Sequence, residues 1–207
     1  MSVRKAYTDW STTYDTDRNL TRDLDAVVTR EMLAQHHYTT ILELGCGTGK
    51  NTPFYASIGE RVCALDFTEA MILRAKEKVQ RGNVTFAVAD LTRPWPCANA
   101  RFDLAVCNLV LEHVADLGPA FSEAYRVLAQ HGRFFISELH PFKQYQGKKA
   151  VFQRDQQQNE IPAFVHHISN FLDAADSAGF SLKSLREWWH EADQDNPPRL
   201  VSFVFEK

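Results

Sequence analysis

The sequence predicts a doubly wound α/β domain, with a mainly parallel sheet and helices on both faces. Three observations predict it. Short apolar runs alternate with segments of helical period between residues 39 and 140, a pattern that builds a parallel sheet covered on both sides. The first run leads into a loop of alternating glycines, "ILELGCGTGKNT" (41–52). The next two runs end in acids, Asp66 and Asp90.

Leu20, Leu24, Val27, Val28 and Leu33 recur at helical spacing, so 20–36 reads as a helix. "TTILEL" (39–44) is the first strand. A helix follows the glycine loop, with Pro53 in its first turn, where a missing N–H costs little. "RVCALD" (61–66) is the second strand. Residues 68–82 read as a helix with Thr68 as N-cap and Gly82 past its end. "NVTFAVAD" (83–90) is the third strand, and a Pro-rich loop follows it. "FDLAVCNLVLEHV" (102–114) is a buried strand running into a loop or short helix. Residues 121–132 form a helix ending at Gly132, and "RFFISELH" is a fifth strand.

The segment 141–168 is polar and has no clear period; long irregular connections in compact domains are usually lids, insertions or binding loops. A helix over 169–180, capped by Ser169 and closed near Gly179, then precedes two apolar strands, "SLKSLREWW" and "RLVSFVFEK". Trp188 and Trp189 point to opposite faces of the first of these, so one is expected in the core.

At 207 residues the chain suits one core, and no repeat or linker divides it, so 1–207 is expected to be a single domain. No run of about 18 apolar residues is present, so no membrane partner is expected. The polar start "MSVRKAYTDWSTTYDTDRN" carries no apolar signal core, and the expected location is the cytoplasm. Net charge is −3 with no basic stripe, which argues against a nucleic-acid partner. Cys46, Cys63, Cys97 and Cys107 form no C-x-x-C pair and read as small core residues. The histidines carry no H-x-x-x-H motif, so no metal is expected.

The glycines select the guest. Gly45, Gly47 and Gly49 follow G-x-G-x-G, whereas the dinucleotide fingerprint needs glycine where Lys50 stands. A P-loop pattern is also missing, so a pyrophosphate is not expected. Asp66 ends the second strand, where a carboxylate holds ribose hydroxyls. Asp90 ends the third, where a carboxylate can accept from an exocyclic amine. Together they describe a pocket for an adenosyl group without phosphates.

These stretches resemble the class I S-adenosylmethionine-dependent methyltransferases (methyltransferase type 11), in the subgroup that includes ubiquinone/menaquinone-type and malonyl-carrier-protein methyltransferases. "ILELGCGTGKNT" is similar to the family's glycine motif, "ALDFTEAMI" to its ribose motif, and "VAD" with Leu91 to its adenine motif. "FDLAVCNLVLEHV" and "EAYRVLAQHGRFFISE" resemble the fourth- and fifth-strand motifs. The resemblance covers 38–140 densely. It implies a Rossmann-like methyltransferase fold, a seven-stranded sheet whose last strand is antiparallel, and S-adenosyl-L-methionine as cofactor.

Position by position, the resemblance implies that Gly45, Gly47 and Gly49 approach the methionine part and Glu43 orients its ammonium. Asp66 would hold the ribose, with Phe67 against the adenine face; Asp90 and Leu91 would meet the adenine edge. Asn108 and Leu109 would line the methyl side, and Tyr14 would cover the carboxylate end. "YTDWSTTYD" (7–15) resembles the segment that closes over the cofactor, which makes 1–36 an N-terminal helical lid.

Methyl transfer needs a base only if the acceptor loses a proton. The candidates are Glu112, His113, His140, His166 and His167. His140 follows the fifth strand at the expected rim, and imidazole titrates near neutral pH. His113, in "LEHV", either acts in chemistry or supports its loop. The segment 141–168 is expected to be a substrate-side insertion. It mixes Lys148, Lys149 and Arg154 with Phe142, Tyr145 and Phe152, which suits an apolar small molecule bearing an anionic group. Alternatively its aromatics seal the core.

The leading expectation is an enzyme methylating oxygen, nitrogen or carbon of a small molecule, as a monomer or homodimer. The alternatives are an S-adenosylmethionine-binding protein without transfer activity, or a protein or nucleic-acid methyltransferase. The run "CNLVLE" lacks the two prolines and aromatic of amino-group methylation of bases, and a single Glu112 does not make the acidic hairpin of arginine methylation.

Overall fold

The computed structural model describes residues 2–147, 151–154, 157–193 and 196–207, with backbone alone over 151–154 and 157–159. In chain order the elements are α1 (Val3–Trp10), α2 (Leu20–Leu33), β1 (Tyr38–Leu44), α3 (Thr52–Ile58), β2 (Gly59–Asp66), α4 (Glu69–Lys78), β3 (Val84–Val88) and β4 (Phe102–Asn108). They continue with a 3-10 turn (Leu111–His113), α5 (Leu117–Val127), β5 (Leu128–Leu139), α6 (Pro141–Tyr145), β6 (Val151–Arg154), β7 (Gln157–Glu160), α7 (Ile168–Ala178), β8 (Ser181–Trp188), a second 3-10 turn (Glu191–Asp193) and β9 (Leu200–Glu206).

The main sheet has seven strands in the order β3-β2-β1-β4-β5-β9-β8. Strands β1 to β5 pair in parallel, and β9 runs antiparallel to both its neighbours. The chain reaches the β3 edge and then returns to lay β4 beside β1. That reversal opens a crevice at the carboxyl ends of the strands, where ligands bind in open α/β sheets. A second sheet pairs β6 with β7.

Alternate residues feed two cores. Ala105, Phe134 and Phe205 pack with Phe121 of α5 and Phe171 of α7 on one face. Leu104, Val106 and Phe135 pack with Val28 of α2 and Tyr55 of α3 on the other. Phe121 meets Phe134 edge-on at 5.4 Å between centroids, a favoured aromatic geometry. Among the described residues, no helix is long and apolar enough to cross a membrane.

The structure corrects several sequence boundaries. The predicted helix 121–132 begins earlier, at Leu117, and stops at Val127. Lys207 donates from Nζ to the carbonyls of Tyr125 and Leu128 at 2.6 and 2.8 Å, a cation filling orphan acceptors of the helix end, and Leu128 opens β5. Helix α4 ends at Lys78 rather than near Gly82, and β3 stops two residues short of Asp90. Thr68 does occupy the N-cap of α4, but the carboxylate there is Asp66, which accepts from Thr68 N. His167, not Ser169, caps α7; its N–H donates to Asn170 Oδ1. Trp188 packs against the α2-side core and Trp189 is exposed.

Candidate active site

The site is built where β1 to β4 end. Gly45, Gly47 and Gly49 all have positive φ. At Gly45 (φ +72°) a Cβ would lie 2.2 Å from Val110 Cγ2, so no side chain fits. At Gly47 a Cβ would meet nothing within 4 Å, because that residue faces the cleft. Gly49 packs instead toward Val79 and lines none of the cavities described here. Backbone N–H groups of Gly45 and Cys46 donate to Leu65 O at 2.8 and 2.9 Å, clamping the loop to β2.

The loop opens onto a cleft at the carboxyl ends of the strands, the usual place for a small-molecule site in such a sheet. Asp66 and Phe67 line it at the end of β2, Asp90 and Leu91 after β3, and Asn108, Leu109 and Val110 at the end of β4. Tyr7 and Tyr14 close it from the N-terminal segment. Asp66 accepts from Gly47 N at 3.0 Å and Thr68 N at 2.8 Å. Burial pushes its carboxyl up, against those bonds. Asp90 accepts from Thr92 N and Oγ1. Burial raises its pKa, but the Thr92 bonds and the cations Arg4 and Arg93 outweigh it and hold it low. Arg4 lies over the Phe67 ring at 5.3 Å and 3.7 Å from Asp90. Leu109 sits at φ +56°, uncommon for a branched side chain, as the chain turns away from β4 into the cleft.

A smaller cavity continues past the glycine loop, lined by Tyr14, Arg22, Asp25, Glu43, Lys50 and Asn51 among others. Glu43 is absent from the main cleft and belongs here. It accepts from Thr52 Oγ1 at 2.7 Å, and burial pushes it up to about 8. Asn108 contributes backbone more than side chain. Its amide donates to Asp25 Oδ1 and Thr29 Oγ1 at 2.8 and 2.9 Å, and its oxygen accepts from Tyr55 at 2.8 Å. Two buried atoms at this end have no hydrogen-bond partner, Arg22 Nε and Asn51 Oδ1. A cation and an amide oxygen left open at one end suit a zwitterionic amino-acid group, and the acids at the other end suit an adenosyl group. The residues therefore fit S-adenosylmethionine.

Arg22, Asp25 and Asn51 escaped the sequence reading. A signal existed: Arg22, Asp25 and Thr29 recur at helical spacing on α2 and are all buried, a polar stripe on an inward face. The guanidinium of Arg22 is held by the carbonyls of Tyr14 and Asp17 and lies 4.0 Å over the Tyr14 ring.

The two histidines proposed for catalysis separate. His140 is buried and lines none of these cavities. Its Nδ1 accepts from Phe142 N and its Nε2 lies 2.9 Å from Glu187, so it caps α6 and ties it to β8. His113 does line the cleft. Its Nδ1 lies 2.8 Å from Pro162 O, a carbonyl that can only accept, and its Nε2 is 2.8 Å from Tyr7 Oη. His166 is bonded to Val114 O, and His167 pairs with Tyr145. In the 141–168 segment, Phe142 and Tyr145 are exposed and Ile161 is buried against Ala6 and Trp10 of α1. Lys148 and Lys149 lie outside the described residues, as do the side chains of Phe152 and Arg154.

Residues 42–136 match the family model described as "Methyltransferase domain". The chain is 30% identical over 138 residues to a malonyl-[acyl-carrier protein] O-methyltransferase of Pseudescherichia vulneris, covering 67% of this chain and 53% of that one. It is 33% identical over 104 residues to the demethylmenaquinone methyltransferase of Leptospira interrogans serogroup Icterohaemorrhagiae serovar copenhageni, covering 45% and 40%. The chain spans about half the length of the curated relatives it matches. Among solved structures, the N-methyltransferase NodS of Bradyrhizobium japonicum WM9 with S-adenosyl-L-homocysteine superposes at TM-score 0.76 and 16% identity, over 100% of this chain and 99% of that one. The fold is that of the Rossmann-like S-adenosylmethionine-dependent methyltransferases.

Proposed function

We propose that this chain is an S-adenosylmethionine-dependent methyltransferase acting on a small-molecule acceptor. The observation that carries the reading is the cleft itself. A glycine loop without phosphate-binding spacing, then Asp66, Asp90 and the Asn108–Leu109 turn, lines one pocket in strand order. The methyltransferase relatives, the demethylmenaquinone enzyme among them, support the finer placement beside the ubiquinone/menaquinone-type enzymes.

The roles follow from position. Each Asp66 oxygen already accepts one backbone N–H and retains capacity for a ribose hydroxyl. Phe67 offers a ring to the adenine face, and Asp90 with Leu91 meets its edge. Gly45 and Gly47 leave room for the methionine part. Arg22 holds its carboxylate beneath Tyr14, while Glu43 and Asn51 serve its ammonium. The sulfonium supplies an activated methyl group. The protein's task is to align a nucleophile and exclude water, and alignment can contribute roughly 7–11 kcal/mol.

Calorimetric titration with S-adenosylmethionine, NAD and ATP tests the cofactor. Binding of S-adenosylmethionine alone is expected; binding of NAD instead would overturn the reading. Incubation with methyl-labelled cofactor and a metabolite extract then separates an enzyme, which transfers label, from a protein that only binds.

A further inference from the structure

A second cavity adjoins the cofactor cleft and shares Tyr7, Tyr14 and Leu109 with it. Its outer walls include Trp10, Arg18 and Arg22 from the N-terminal segment, Lys143 of α6 and Arg199 before β9; Glu112 belongs to its inner wall. We infer that this cavity is the acceptor site, that it takes a small organic anion bearing a hydroxyl or amine, and that Glu112 receives the proton released on transfer. The inference rests on the methyltransferase reading above.

Position is the first argument. Leu109 and Tyr7 border both spaces, so the second cavity abuts the cofactor cleft at the end of β4. The second argument is Glu112. It is 7% exposed, and its Oε2 has no hydrogen-bond partner. A buried carboxylate oxygen is costly to leave unpaired and calls for an explanation. The neighbouring imidazole does not supply one. His113 Nε2 stands 3.8 Å from Glu112 Oε1 and is already engaged by Tyr7. Burial raises the Glu112 carboxyl, partly offset by His113 and Gln144, which makes it a stronger base than a solvated glutamate.

Charge is the third argument. Lys143 and Arg199 share one carboxylate: Asp193 accepts from Lys143 Nζ at 3.2 Å and from Arg199 Nε and Nη2 at 2.6 and 2.7 Å. Among the described residues of that wall, these two cations face one anion. Asp17 directs its carboxylate to the Trp10 indole, 2.6 Å away. Arg18 adds a further cation at the exposed rim. The cavity thus offers a base on one side and these cations on the other.

The step balances. The acceptor O–H or N–H bond breaks and its proton passes to the Glu112 carboxylate. The electron pair freed on the acceptor oxygen or nitrogen forms the bond to the methyl carbon, and the C–S bond breaks with its pair remaining on sulfur. One negative charge on Glu112 and one positive charge on the sulfonium disappear together.

The test uses the whole protein, methyl-labelled S-adenosylmethionine and a metabolite extract split on an anion exchanger. Label is expected in the retained, anionic fraction. The labelled compound is then purified and its unmethylated form titrated calorimetrically into protein loaded with S-adenosylhomocysteine. Glu112→Gln should bind it as the wild type does while kcat falls by about 100-fold or more. Lys143→Met leaves Asp193 on Arg199 and should raise KM and the calorimetric Kd about tenfold, the size of one charged hydrogen bond. Arg18→Ala, at the rim, should shift both in the same direction and still fold. Label confined to the neutral fraction overturns the inference and leaves the enzyme reading intact. So does a Glu112→Gln enzyme with wild-type kcat, or Lys143→Met and Arg18→Ala enzymes with wild-type Kd. Failure to bind S-adenosylmethionine at all sinks the underlying reading with it.

Discussion

The cofactor cleft and the cavity beside it share residues yet are made differently. The cleft is backbone architecture: four successive strands end in it, and its residues are fixed by sheet register. The second cavity is assembled by side chains from α1, α2, α6 and the segment before β9, far apart in sequence. A site written in strand ends constrains glycines and acids to fixed places. A site written in covering segments constrains only what its own acceptor needs.

That difference predicts where a substitution does most damage. Gly45→Ala should be the largest. Its positive φ costs an L-residue roughly 1–2 kcal/mol, and the clash with Val110 adds about 1–3 more. Denaturant unfolding should show a loss of about 4 kcal/mol. Adding Val110→Ala should recover the clash but not the strain. Full recovery in the double variant would mean that φ carries no cost here.

The same difference governs what was legible. Gly45, Gly47, Asp66 and Asp90 could be read because a short apolar run announces its own end, and the residue there has few places to go. Gly49 was legible as part of a motif, but only the structure separates its packing role from the cleft. Arg22 and Asp25 were not legible, because a polar residue in an amphipathic helix reads as solvated until its burial is known. His140 was misleading for a physical reason: a strand end beside Pro141 is a good catalytic position and equally a good N-cap. The pairing of β6 with β7 was missed because a polar, Gln-rich run shows no alternation in sequence. The run is paired by backbone, which sequence patterning does not report.

The second prediction concerns the turn that joins the two sites. Glu138 Oε1 accepts from Val110 N and Leu111 N at 2.9 and 2.8 Å, holding the turn that carries Glu112 and His113. Burial, with the nearby Glu112 charge, pushes Glu138 to about 8 from an ordinary 4.5. Between those values the folded chain keeps a proton that the unfolded chain has lost. Its stability contribution is therefore complete below pH 4.5 and declines as pH rises toward 8. Glu138→Gln keeps the acceptor oxygen and removes the titration. The fall in stability across that window should flatten by on the order of 1 kcal/mol per pH unit at its steepest. Unchanged pH dependence of the melting temperature would show that Glu138 is ionised throughout.

Within the cleft, Asp66→Ala should weaken S-adenosylmethionine binding by about 2 kcal/mol, near thirtyfold, since an ionised acceptor of ribose hydroxyls is lost. Calorimetry on the folded variant measures it. An unchanged dissociation constant would remove the ribose assignment.

The smallest expected effect is the most informative about the cover. Ile161, in the 141–168 segment, is fully buried against Ala6 and Trp10 in a cluster separate from both main cores. Asp15 adds polar latches, accepting from Thr48 Oγ1 at 2.7 Å and from Lys78 Nζ at 3.1 Å. Ile161 thus joins the two segments, and Asp15 ties the N-terminal one to the glycine loop and α4. Ile→Ala in a rigid core costs about 2–5 kcal/mol, but a cluster free to open or collapse should lose about 1.5. That loss should appear as faster hydrogen exchange in α1 and in residues 161–167, with β1, β4 and β5 unaffected. S-adenosylmethionine should restore protection in both the wild type and Ile161→Ala, because a ligand that binds the closed form pulls the population toward it. Equal acceleration across the strands would mean that cover and sheet unfold as one unit. Equal protection of residues 1–18 with and without cofactor would make α1 a fixed part of the fold rather than a lid.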